Sequence, residues 1–101
     1  MGLQYSATQS SGLLTADALV EANPCLLHTV TLVPAAADST LTIYDNNAAA
    51  AAGTVLAKIF VLATTASQTI HFTIPVRANK GLYADVAGAA AGYIIHFEKT
   101  F

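Results

Sequence analysis

The chain has 101 residues, enough for one domain with one modest core. Its 54% apolar fraction includes 21 alanines, so the larger aliphatic and aromatic residues must carry most of the burial. Only 10% of residues are charged, with four cations (Lys58, Arg77, Lys80 and Lys99) against six acids and a net charge of −2; this excludes the clustered Lys/Arg footprint of a nucleic-acid binder and the polybasic face that holds a protein on an anionic membrane.

The opening stretch "MGLQYSATQSSG", residues 1–12, is polar and has no 3.6-residue period. It reads as an N-terminal arm ordered by a partner surface, ahead of a single domain over residues 13–101. Its Met-Gly start matches the loose myristoylation pattern, a weak signal, and no basic segment precedes an apolar core as in a signal peptide. Residues 14–23 fit either one helical turn or a short strand before the Asn23-Pro24 turn. From Cys25 the alternation is clear: Leu26, His28, Val30 and Leu32 on one face, Leu27, Thr29, Thr31 and Val33 on the other, ended by Pro34. Cys25 is the only cysteine, so it forms no intrachain disulfide and reads as a small buried thiol.

Residues 40–44 make the next strand, with Leu41 and Ile43 inward and Thr40, Thr42 and Tyr44 outward. Asp45-Asn46-Asn47 is a turn signal, because Asx side chains bond their own backbone. The five alanines that follow favour helix by composition. A run that short is marginal as a helix, so residues 46–53 read as a loop of small side chains. Val55, Ala57, Ile59 and Val61 then alternate with Leu56, Lys58, Phe60 and Leu62. The longest charge-free candidate for a membrane span, residues 59–76, is broken by threonine, serine, glutamine and histidine. A strand over residues 68–74 places Ile70, Phe72 and Ile74 on one face and ends at Pro75. A short strand puts Leu82, Ala84 and Val86 inward and Tyr83 and Asp85 outward. Residues 92–99 close the chain with Tyr93, Ile95 and Phe97 opposite Ile94, His96 and Glu98. About seven short strands with turn signals between them, and no long amphipathic helix, predict an all-β antiparallel sandwich of jelly-roll type. "YDNNAAAAAGTVL" and "YADVAGAAAGYII" echo each other and could mark equivalent corners, although Ala-rich loops recur readily in an Ala-rich chain.

Site chemistry is sparse. His28, His71 and His96 fall on separate strands, and only His96 and Glu98 must be neighbours, so no metal set is implied. Asp45 and Asp85 each follow a tyrosine closely, which turn capping and strand-end solvation account for without an ion between them. There is no nucleophile elbow, phosphate loop or dinucleotide fingerprint. No catalytic residue and no cofactor is expected. Tyr44 and Tyr83, read as outward, are candidate interface anchors, since tyrosine is enriched at contact sites. Low charge, a polar arm and many edge-capable strands suggest a surface covered by neighbours.

The segments "ADALVEANPCLLHTVTL", "STLTIYDNNAAAAAGTVLAKI" and "NKGLYADVAGAAAGYIIHF" resemble, in order and content, a group of small virion proteins of tailed bacteriophages. The resemblance runs from Ala16 to Phe97. It is most specific at Leu41 to Asn46, Gly53 to Ala57, and Gly81 to Gly88. The chain departs from that pattern at Asn47-Ala48-Ala49 and in the stretch "VLATTASQT". The resemblance implies a β-sandwich without enzymatic activity on the phage particle. The function expected is a capsid decoration (cement) protein on the outer surface of the virion, assembled in the host cytoplasm. Its expected partners are the major capsid protein and other copies of itself, a homotrimer being favoured, with no nucleic acid and no membrane. Gly2, Leu3, Gln4 and Tyr5 of the arm, with Tyr44, Asn46, Ala50 and Tyr83, are the candidate contacts. The alternative is a tail, baseplate or fibre component that binds a receptor or glycan through Tyr44 with Asn46 or Tyr83 with Asp85.

Overall fold

The computed structural model of the chain describes residues 8–35, 37–63, 66–88 and 92–99. Eight strands make it up: β1 (Thr8–Ser10), β2 (Ala18–Glu21), β3 (Cys25–Val33), β4 (Ser39–Asp45), β5 (Thr54–Val61), β6 (Gln68–Ala78), β7 (Leu82–Gly88) and β8 (Gly92–Lys99). They form two four-stranded antiparallel sheets, ordered β1-β8-β3-β6 and β2-β7-β4-β5. β1 pairs with β8, β2 with β7, β3 with β6 and β4 with β5. The chain is therefore one long antiparallel ribbon, folded at the β4–β5 turn and rolled so that its limbs divide between two sheets. This is the jelly-roll order. The alanine run is the tip of that ribbon: residues 46–53 join β4 to β5, the one pair of consecutive strands that stay in the same sheet.

The two inner faces meet in a single core. Cys25, Leu27, Val30, Leu32, Tyr93, Ile95 and Phe97 of the first sheet pack on Leu41, Ile43, Ile59, Val61, Leu82 and Ala84 of the second. The predicted faces hold for β4, β8 and most of β5, where strict alternation matches the pleat.

They fail at bulges. On β3 the buried set is Cys25, Leu27, Val30 and Leu32, because the register shifts between Leu27 and Thr29 and the phase of alternation changes there. The expected grouping of Leu26 and His28 with Val30 and Leu32 is corrected accordingly. On β5, Tyr44 faces Val55 while Ile43 faces Ala57, so Leu56 is the extra residue and Val55 points outward rather than in. On β6, Val76 pairs with Leu27 and His71 with Thr29, so four residues of β6, Phe72 to Pro75, lie opposite the single residue His28 of β3. Pro75 sits inside that bulge on an edge strand, where no ladder N–H is needed, and the strand continues to Ala78 instead of ending. The same bulge throws Ile74 outward, 82% exposed, while Ile70 and Phe72 pack on the core.

Of the segment read as an arm, Thr8–Ser10 adds to β8, and the Ser11 N–H donates to the Ile95 carbonyl at 2.9 Å. Residues 14–23 hold a strand, β2, and not a helical turn. The two echoing segments are not equivalent corners. The first spans a hairpin within one sheet, and the second holds most of β7 and crosses between sheets.

Candidate interaction surface

Four of the expected contacts, Gly2, Leu3, Gln4 and Tyr5, lie outside the described residues. The other four gather at one end of the second sheet. Tyr44 and Tyr83 are register partners on β4 and β7. Leu19 of β2 faces Tyr83 from the other side, and Val55 of β5 faces Tyr44. These four side chains form a row across the outer face. Tyr83 is on that face as expected, yet only 8% exposed, because both flanking strands place a large side chain over it. Its expected role as an exposed anchor is corrected: it supports the row, and the half-buried Tyr44 beside it and the half-exposed Val55 are what a partner would meet. Burial, then the charges of Asp17 and Asp85, push the Tyr83 hydroxyl above its ordinary pKa.

Asn46 and Ala50 belong to the ribbon tip. The Asn46 amide donates from Nδ2 to the Ala50 carbonyl at 2.9 Å, and its Oδ1 accepts the Ala48 N–H at 3.1 Å. The loop is closed by its own asparagine, and Ala48 to Gly53 are all exposed. Underneath it, Asp45 plays a part the sequence did not reveal. Its carboxylate accepts the backbone N–H groups of Asn79 at 3.1 Å, Lys80 at 2.8 Å and Gly81 at 3.4 Å. The turn signal at Asp45 was legible, but the turn this side chain caps belongs to a different connection, between β6 and β7.

The remaining titratable groups serve the fold. His28 Nε2 lies 3.0 Å from Glu98 Oε1, so the bulge histidine reaches Glu98 across strands, a contact that spacing within β8 did not suggest. His71 Nδ1 lies 3.2 Å from Thr29 Oγ1. Asp17 accepts the Val86 N–H at 2.8 Å and hydrogen-bonds Asp85, whose carboxyl is pushed up first by burial and then by the Asp17 charge. Tyr93 donates its hydroxyl to the Ala16 carbonyl at 2.7 Å, and burial raises its pKa to about 12. Among the described residues no three histidine, cysteine or acidic side chains are grouped to hold a metal, and no helix is long and apolar enough to cross a membrane.

Sequence reasoning also missed a set of exposed apolar side chains. Val55, Phe60, Leu62 and Ile74 are each at least half exposed, all on or beside β5 and β6. Phe60 and Leu62, with Val61 and Gln68, line an open hollow of about 410 Å³. Alternation predicts that Phe60 points away from the core, but not that β5 is the edge strand of its sheet.

No family model, curated protein or solved structure matches the chain.

Proposed function

We propose that the chain is a structural protein of a tailed-bacteriophage particle, a capsid decoration protein that binds and stabilises the shell of the major capsid protein. The observation that carries this reading is a convergence. The three segments with the most specific resemblance, Leu41 to Asn46, Gly53 to Ala57 and Gly81 to Gly88, form one continuous unit. Tyr44 faces Tyr83 and Val55, and Asp45 faces Leu82 and Thr54 while its carboxylate caps the turn ahead of β7. Segments far apart in the chain resemble the same group of virion proteins and are built against one another. The jelly-roll order is compatible with a particle role, although a fold alone does not assign one.

The arrangement suits a cement protein. Asp17, Asp45 and Asn46 are spent on internal contacts, β5 and β6 are long edge strands, and the ribbon tip presents small side chains on which another surface can pack closely. The glycan-binding alternative needs Tyr44 with Asn46 or Tyr83 with Asp85. In the first pair Asn46 is committed to its own loop, and in the second the Tyr83 ring is buried. The decoration reading is therefore the better supported.

Residues 2–7 supply a further shell contact in this reading. Deleting them leaves Thr8–Ser10 and the sandwich in place, and the truncated protein should co-sediment with empty shells far less than the full chain. Equal binding would remove the arm from the mechanism. Copy number per particle tests the location: hundreds of copies mean shell decoration, whereas a few dozen or fewer would move the protein to the tail and overturn the proposal.

A further inference from the structure

Residues 8–21 run as a strap across one side of the sandwich. β1 adds to the edge of β8 in the first sheet, and β2 adds to the edge of β7 in the second. Between them Leu14 and Tyr93 exchange backbone bonds at 2.9 and 2.8 Å. The Ile95 N–H donates to Ser11 Oγ at 2.9 Å, the Tyr93 hydroxyl to the Ala16 carbonyl at 2.7 Å, and the Val86 N–H to the Asp17 carboxylate at 2.8 Å. Leu14 and Val20 pack on the core. Among the described residues, the strands of the strap therefore pair only with β7 and β8, at the far end of the sequence. The fit is light: the two strands have 3 and 4 residues, Thr8–Ser10 is exposed, and a hollow of about 320 Å³ lies between the strap and Phe97. Ala22, Asn23 and Pro24 alone connect the strap to β3. Ala22 and Asn23 are exposed, so straightening this tether uncovers no core side chain.

The strap is in effect a ligand for the β7 and β8 edges, held near them by three residues. A second copy carries the same ligand, with the same side chains and the same bonds to offer, so the occupant that fits these edges is already on view. The tether contributes only proximity, an effective concentration on the order of millimolar for a short linker. Copies seated side by side on a shell meet at a comparable local concentration. Exchange then costs little, because each bond broken on one copy is remade on the next. We infer that in the assembled state residues 8–21 of one copy lie on β7 and β8 of its neighbour. From Glu21 to Cys25 the tether spans at most about 14 Å, so exchanging copies meet at the end of the sandwich where β2 passes into β3. Reciprocal exchange gives a dimer, and head-to-tail exchange closes a ring of three or more copies. The inference deepens the oligomeric part of the proposed function and takes its crowding from it, but concentrated protein supplies the same crowding without a shell.

The experiment traps the strap where it lies. Ser10 and His96 are register partners on β1 and β8, so the full chain carrying Ser10→Cys and His96→Cys should form a disulfide across that edge. Cys25 is buried and does not compete. Equal amounts of ordinary and nitrogen-15-labelled protein are mixed reduced, held at micromolar concentration, at millimolar concentration or on empty shells, and then oxidised. Mass spectrometry of the peptides linked between positions 10 and 96 reads whether the two halves share one isotope. At micromolar concentration single-isotope pairs are expected; at millimolar concentration and on shells, mixed pairs should rise toward about half, the random limit for full exchange. If circular dichroism shows this variant unfolded, Thr8→Cys with Glu98→Cys gives the same readout at another register pair. Single-isotope pairs under all three conditions would overturn the inference. So would links joining position 10 to 10 and 96 to 96 as abundantly as 10 to 96, the mark of random collision. Mixed pairs at millimolar concentration in a protein that does not bind shells would uphold exchange and remove the decoration role; shell binding with single-isotope pairs throughout would do the reverse.

Discussion

The Asp45 carboxylate at the end of β4 accepts the Lys80 backbone N–H at 2.8 Å, and this contact ties the ribbon tip to the turn that starts β7. With Asn79 and Gly81, three N–H groups converge on one carboxylate. Such bonds to a charged acceptor are stronger than neutral ones. Asp45→Ala should therefore cost about 2–3 kcal/mol, and Asp45→Asn, which keeps one acceptor oxygen, about 1–2 kcal/mol. Urea denaturation measures both. An unchanged midpoint for Asp45→Ala would mean that the turn holds itself.

Gly53 and Ala50 lie in the same loop and should respond in opposite ways. Gly53 has φ +104°, and a Cβ there would meet the Asp45 carbonyl oxygen at 2.6 Å. Gly53→Ala should lose about 1–3 kcal/mol through backbone strain. Ala50 is exposed, and Ala50→Glu should stay within about 0.5 kcal/mol of wild type. In the decoration reading Ala50→Glu should instead weaken shell binding, measured by co-sedimentation. If it unfolds the isolated domain, the loop is not the open surface described.

The strands were legible wherever period-two alternation ran unbroken, as in β4 and β8. What the sequence concealed has physical causes. A bulge leaves no mark in composition, yet it turned His28 toward Glu98, Val55 outward and Ile74 into solvent. Tyr83 alternates like an exposed residue and is buried only because Leu19 and Tyr44, distant in sequence, flank it. Phe60 could be placed on the outer face by periodicity. That β5 is the edge strand of its sheet is a property of strand order, which no local pattern encodes.

Tyr93 fastens the connection between β1 and β2 to the core through its bond to the Ala16 carbonyl. Tyr93→Phe preserves the packing and removes that bond. Ala16 is exposed, so water can take over at its carbonyl, and the loss should be modest, about 0.5–1.5 kcal/mol. Hydrogen exchange should quicken at Leu14, whose N–H bonds the Tyr93 carbonyl at 2.9 Å, more than at β4. Uniform acceleration across both sheets would show that the hydroxyl supports the whole fold.

Asp85 sets a pH dependence of definite sign. Its carboxyl pKa is raised in the folded state, by burial first and by Asp17 second. The folded chain thus favours the protonated form, so this site costs stability as pH rises from the unfolded carboxyl value through the folded one. Asp85→Asn abolishes that cost and keeps a donor toward Asp17. It should stabilise the protein at neutral pH by less than about 1 kcal/mol, since the site is partly open to solvent, and leave stability unchanged in acid. Thermal melts at both pH values decide this, and destabilisation at neutral pH would show that the ionised pair is held by contacts other than those described.

Cys25 reports on unfolding. Its thiol is fully buried in the core, and burial, reinforced by Glu21 and Asp45, pushes its pKa up to about 11. The thiolate is the reactive species, so access and ionisation both protect it at neutral pH. Ellman's reagent should label the native protein only as fast as the first sheet opens, and labelling in urea should follow the unfolding transition. Because Cys25 pairs with Ala78 of β6 and Lys99 of β8, its exposure requires separation of those strands and not fraying of the short β1. Rapid labelling of the folded chain would mean that the β3 end of the sandwich opens independently of the rest.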